Sequence, residues 1–115
     1  MLFRSVIWQR DANAVALRAL AHCTAPPLML NVTGRPAVSV RSLAQEFGRR
    51  WGVQPVFEGI ESPTALLSNA GLMEALFEKP EVGVEEMIAR VAEWVEQGGR
   101  SLGKPTHFSV RDGQF

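Results

Sequence analysis

The sequence contains no tyrosine, so no mechanism that needs a phenol as acid or base can run within these residues. Its single cysteine, Cys23, excludes an intrachain disulfide framework and any cysteine-rich metal site. No apolar run approaches the roughly 18–20 residues that span a bilayer, and no leader-like pattern of basic then apolar residues opens the chain. A cytoplasmic protein without membrane contact is expected. Charge of one sign is lacking too, with 12 Lys+Arg against 12 Asp+Glu. That balance argues against a strongly basic nucleic-acid binder or a polybasic membrane-surface protein. What is present is 115 residues, 46% of them hydrophobic, with three Trp and six Phe. A chain of this length can bury about two-thirds of the surface that its unfolded form exposes.

Short apolar runs alternate with helix-period stretches, the pattern of α/β construction. Ser5–Trp8 reads as a short extended run. Asp11 offers an N-cap oxygen to a helix over Ala12–Ala21, with Val15, Ala16, Ala19 and Leu20 on one face. Pro26 and Pro27 end it. Leu28–Val32 reads as a strand and Thr33–Pro36 as a loop. Ser39 can cap the next helix, whose Val40, Leu43, Ala44, Phe47 and Trp51 form the cleanest amphipathic stripe, with Gly52 placed to end it. Pro55–Glu58 and Thr64–Leu67 are further candidate strands. A short helix after Ser68 or Asn69 should carry Leu72, Met73, Leu76 and Phe77. A last helix from about Val84 should bury Val84, Met87, Ile88, Val91 and Val95, and stop at Gly98-Gly99. Residues 100–115 read as a polar tail that wraps or frays, anchored at most by Leu102, Phe108 and Val110.

Few residues stand at spacings that carry chemistry. His22 and His107 have no His, Cys or Asp at ligand spacing, so no metal or acid–base role is expected, and His22 reads as a complement to a helix C-terminus. Cys23 reads as a small buried hydrophobe, and Trp51 and Trp94 as core. Trp8 is open between core and pocket lining. The glycine-rich, zinc-ligating and nucleophile-elbow motifs are missing. Ser39–Val53 offers a helix-turn-helix reading through Ala44, Gly48, Arg49 and Arg50, but Gly52 and Pro55 break the expected recognition helix.

The order of elements resembles a family. Asp11-Ala-Asn-Ala-Val-Ala-Leu-Arg-Ala-Leu20 resembles the helix after the "V-x-D-x-A" segment of extended short-chain dehydrogenases/reductases. Leu30-Asn-Val-Thr-Gly34 with Val38-Ser-Val-Arg-Ser-Leu-Ala44 is similar to that family's "YNV-x-G … SV-x-E-L-A". Leu67-Ser-Asn-Ala70 with Leu76-Phe77-Glu78-Lys79-Pro80 is similar to "D-x-S-K-x … LG-x-x-P". Val84-Glu-Glu-Met-Ile88 through Trp94 resembles the last helix of the NAD-dependent epimerase/dehydratase group, "S-L-E-E-G-L … W". The likeness runs from about residue 6 to at least 97.

This resemblance implies the small C-terminal substrate lobe of such an enzyme: α/β, about four helices with two or three short strands, and no Rossmann domain. The dinucleotide-binding glycines and the catalytic Tyr-x-x-x-Lys belong to the earlier part of the family's chain, so no catalytic, cofactor-binding or metal residue is assigned here. NAD(P) is implied for a full-length, bacterial-like parent, an oxidoreductase, isomerase or lyase acting on a sugar nucleotide or related small molecule. The expected partners are the missing N-terminal Rossmann half and that substrate, with self-association through an exposed apolar face and no nucleic acid or membrane. The lobe is read as residues 6–99 and the tail as 100–115. Residues 1–5 read as a non-native start, because Leu-Phe-Arg-Ser is what the end of a common sequencing adapter spells when translated, and Arg4 is given no role.

Where sugar-nucleotide members carry "R-x-G-D", this chain reads Gly59-Ile-Glu-Ser-Pro-Thr64, without the Arg that would hold phosphates. The candidate substrate-facing residues are Asn31, Thr33 and Gly34, at a strand end and turn, with Thr64 and Ser68 weaker. Asn31 and Thr33 equally suit plain backbone satisfaction. A stand-alone α/β binding or interaction module is the alternative function, and the helix-turn-helix DNA reader a third.

Overall fold

Residues 9–19 contain neither glycine nor proline and are rich in alanine, and in the computed structural model they form helix α1 (Gln9–Ala19), extended by a 3-10 turn over Leu20–His22. The structure describes residues 3–61 and 63–105. A short strand β1 (Phe3–Ser5) precedes α1 and pairs antiparallel with β2 (Ala37–Ser39), with Arg4 opposite Val38. Helices α2 (Val40–Trp51), α3 (Gly71–Phe77) and α4 (Val84–Glu96) follow. Among the described residues the result is a small α/β arrangement of four helices and one two-stranded sheet.

The helix boundaries follow local chemistry. Ser39 caps α2, its Oγ accepting the Ser42 N–H at 3.2 Å. Gly52 closes that helix in the left-handed conformation, φ 63°, as a C-terminal glycine should. Asn69 Oδ1 accepts the Gly71 N–H at 2.9 Å and so opens α3. At α1 the expected cap is wrong. The helix begins at Gln9, the extended Trp8 supplies the first carbonyl to Ala12, and Asp11 lies inside the first turn. Its carboxylate is thereby turned inward.

Several expected strands do not form. Of the expected run Ser5–Trp8 only Ser5 is strand, β1 lying at Phe3–Ser5 within the segment read as a non-native start, and the Val6 carbonyl accepts the Gly34 N–H at 2.9 Å instead of extending the ladder. Leu28–Val32, Pro55–Glu58 and Thr64–Leu67 are all irregular. No strand among the described residues lies beside them, and an unpaired strand leaves its backbone groups unsatisfied. Met29 is 83% exposed, and Val32, Val56, Phe57, Leu66 and Leu67 are exposed as well.

The main core is small. Val15 of α1 packs with Ala70, Met73 and Phe77, and Ile7, Ala19, Leu30 and Leu76 close around them. His22 meets the Phe77 ring edge-on at 5.1 Å, so it serves packing. Val38 of β2, Leu43 of α2 and Ile88 of α4 line a common hollow, and the two helices are tied at their ends by Trp51 Nε1 donating to Glu96 at 2.9 Å. Burial differs from expectation at several places. On α4 the buried position is Ala92, while Val91 and Val95 are exposed, because the helix has a neighbour on one side only. Leu20, 70% exposed, and Ala16 leave the expected α1 face for the same reason. Cys23 is exposed, its thiol near the Ala19 carbonyl, because the chain has left the helix there. Trp51 and Trp94 are also exposed. Trp51 stacks on Phe47 at 5.1 Å, and Trp94 donates to the Arg100 carbonyl across Gly99. Trp8 is half-buried under the Arg90 guanidinium, 5.3 Å from its ring. The Cα radius of gyration is 16.3 Å, against about 13 Å for a compact domain of this length. Phe108, Val110 and His107 lie outside the described residues.

Candidate functional site

The segment joining α3 to α4, residues 78–83, is the most constrained irregular stretch in the structure. Three side chains of α1 hold it. Asp11 Oδ2 accepts the Val82 backbone N–H at 2.9 Å, in a buried position. Arg10 pairs with Glu81 at 3.2 Å. Arg18 donates to the Phe77 carbonyl at 3.2 Å and lies over the Phe77 ring, satisfying one of the carbonyls that the end of α3 leaves open. At the hinge, Glu78 has φ 68° and ψ −178°, a backbone region that is essentially reserved for glycine.

This loop separates two depressions. One, of about 100 Å³, lies against α1 and is lined by Arg10, Asp11, Arg18 and Glu78 among others. The other, of about 290 Å³, lies between the loop and residues 34–36. Its walls are mainly apolar, from Val6, Pro36, Pro80, Val82 and Met87. Its polar groups are Arg35, Glu74 and Lys79. Arg35 Nη1 stands 3.3 Å from Glu74 Oε2, the acid being nearly buried and the guanidinium largely open to solvent. A few polar groups converging on an apolar hollow is the usual composition of a small-ligand site.

The candidate residues are divided by the fold. Gly34 lines this groove and is required there: a Cβ would land on the Val6 carbonyl oxygen, which already accepts the Gly34 N–H. Thr33, buried beside it, is not among the lining residues. Asn31 faces elsewhere, its amide donating to the Asn69 carbonyl at 3.3 Å, a tie between the two loops. Ser68 is exposed, and its backbone N–H donates to Ser5 Oγ at 3.3 Å. Thr64 is exposed and outside the groove. Arg35, Glu74 and Lys79 were not singled out from sequence. The Lys79-Pro80 pair after an amphipathic helix was the available signal, but only the return of the chain from residue 34 gives it a facing wall.

Arg49 and Arg50 of α2 are engaged within their own helix, while Arg41 pairs with Glu61 and lies over the Phe57 ring. Arg49 makes a two-pronged contact with Glu46 at 2.9 and 2.8 Å, and Arg50 adds a third bond at 2.9 Å. Their hydrogen bonds hold the Glu46 carboxyl down at about 2, Arg49's contribution being the larger. No helix follows among the described residues before Gly71, so the second element of a helix-turn-helix is missing. The described residues contain no cluster of three or more potential metal ligands, and none of their helices is long and apolar enough to cross a membrane. No family model, no curated protein and no solved structure matches the chain.

Proposed function

We propose that this chain acts as the substrate lobe of an NAD-dependent epimerase/dehydratase-type enzyme, working against a dinucleotide-binding half that supplies the NAD(P) site and the Tyr/Lys pair. The lobe contributes packing and substrate contacts, and the chain has no catalytic activity by itself. The observation that carries the reading is the amount of strand-like and apolar sequence left without a neighbour. Leu28–Val32, Pro55–Glu58 and Thr64–Leu67 are β-prone yet irregular, and Leu17, Leu20, Met29, Ile60 and Leu66 stand in solvent. In the proposed reading these exposed side chains and unpaired segments face the other half. The motif order from Asp11 to Trp94 supplies the kind of neighbour.

The substrate is a small molecule of the sugar-nucleotide type or a relative, and the lack of an arginine in residues 59–64 weighs against a phosphate clamp at that place. The test is calorimetric. NAD titrated into the 115-residue chain should give no binding heat, whereas the product of the reading frame extended upstream should bind it. Tight NAD binding by the 115 residues alone would end the proposal.

A second reading, a stand-alone binding module, is favoured by one observation, the preformed groove at residues 34–36. A monodisperse chain that binds a defined ligand without any added half would select it.

A further inference from the structure

We propose that the groove between residues 34–36 and the α3–α4 loop binds a small amphipathic anion, its charged head at Arg35 and Lys79 and its apolar body along Pro36, Pro80, Val82 and Met87. The inference stands on the groove alone and holds whether or not the chain works beside a second half.

The rim carries two cations and one acid. Glu74 engages Arg35 through one nitrogen at 3.3 Å, and a guanidinium presents five N–H donors, so most of the fork is not taken up by Glu74. The acid is nearly buried while Arg35 is largely exposed, which makes Glu74 an anchor that orients the guanidinium. Lys79 lines the same groove and has no hydrogen-bond or ion-pair partner among the described residues. The neighbouring acids are turned to other tasks. Glu81 pairs with Arg10, Glu86 pairs with Arg90 at 2.6 Å, and Glu85 lines a separate hollow beside Val38 and Leu43. Glu78, beside Lys79, lines the other depression, so the charged groups that line the groove itself, Arg35, Lys79 and Glu74, sum to one positive charge in a chain whose overall charge is zero.

Size and lining set the rest of the ligand. About 290 Å³ lies at the low end of small-molecule sites, too small for a dinucleotide and suited to one head group with a short chain or a single ring. The apolar walls favour a body that loses water on entering. A carboxylate and a phosphate monoester share the head-group chemistry, since both match the arginine fork.

Hexanoate and hexyl phosphate, titrated separately into the isotope-labelled chain and followed by amide chemical shifts, test the site. Saturable shifts at Gly34, Gly83 and Val84, with an affinity on the order of millimolar, are expected, and the tighter arm names the head group. Hexylamine should give no saturable shift at these amides. Lys79→Gln should weaken the anion about three- to fivefold, with the circular dichroism unchanged because Lys79 holds no part of the fold. Equal binding of hexylamine, unsaturable shifts in both anion arms, or undiminished affinity in Lys79→Gln would overturn the proposal.

Discussion

Asp11 links the first helix to a loop 71 residues further on, by accepting the Val82 N–H where neither group meets water. Removing the acceptor strands a buried donor, so Asp11→Ala should cost about 1–3 kcal/mol in chemical denaturation, and Asp11→Asn, which keeps an acceptor oxygen, clearly less. Glu78 predicts the opposite sign. Its backbone sits at φ 68° and ψ −178°, so Glu78→Gly should relieve backbone strain and raise stability by about 1 kcal/mol in the same assay. Glycine's larger unfolded-state entropy reduces the gain but does not reverse it. Neither residue's role was legible in the sequence. Asp11 reads as a cap because it precedes an alanine-rich run, and the helix's true cap is the extended Trp8, three residues earlier. Gly34 was legible as a turn residue, but the reason for it, the close approach of the Val6 carbonyl, depends on a tertiary neighbour.

At the scale of elements, helices were legible and strands were not. The α2 helix, its Ser39 cap and its Gly52 stop are local features, and the structure places all three where the spacing puts them, with Trp51 at the end of the stripe exposed. Strand identity depends on a partner, and segments 28–32, 55–58 and 64–67 have none among the described residues. Backbone amides there should exchange within the fast range in the 115-residue chain and become protected in the upstream-extended product, as read by hydrogen-exchange mass spectrometry. Undiminished exchange in the longer product would separate these segments from the interface. The α2 helix also carries the chain's clearest pH response. Glu46 titrates at about 2 in the folded state against about 4.3 unfolded, so its contribution is complete above the unfolded value and is lost as pH falls toward 2. Thermal unfolding between pH 5 and 2 should show this loss, and Glu46→Gln should remove that component, leaving the rest of the acid sensitivity in place.

At the scale of the whole molecule, the described residues enclose little apolar surface. Four apolar side chains form the principal buried cluster, while Ile60 is fully exposed and Leu17 71% exposed. Under the proposed function, this open apolar surface is where the dinucleotide-binding half would pack. The groove at residues 34–36 was only partly legible, through Gly34, because its other wall arrives from α3 and α4. The direct test compares NAD binding by the 115-residue chain with that of the product extended upstream in the same reading frame, by calorimetry under identical conditions. We expect no heat from the first and saturable binding by the second. Binding by the 115 residues alone, or none by the longer product, would contradict the assignment.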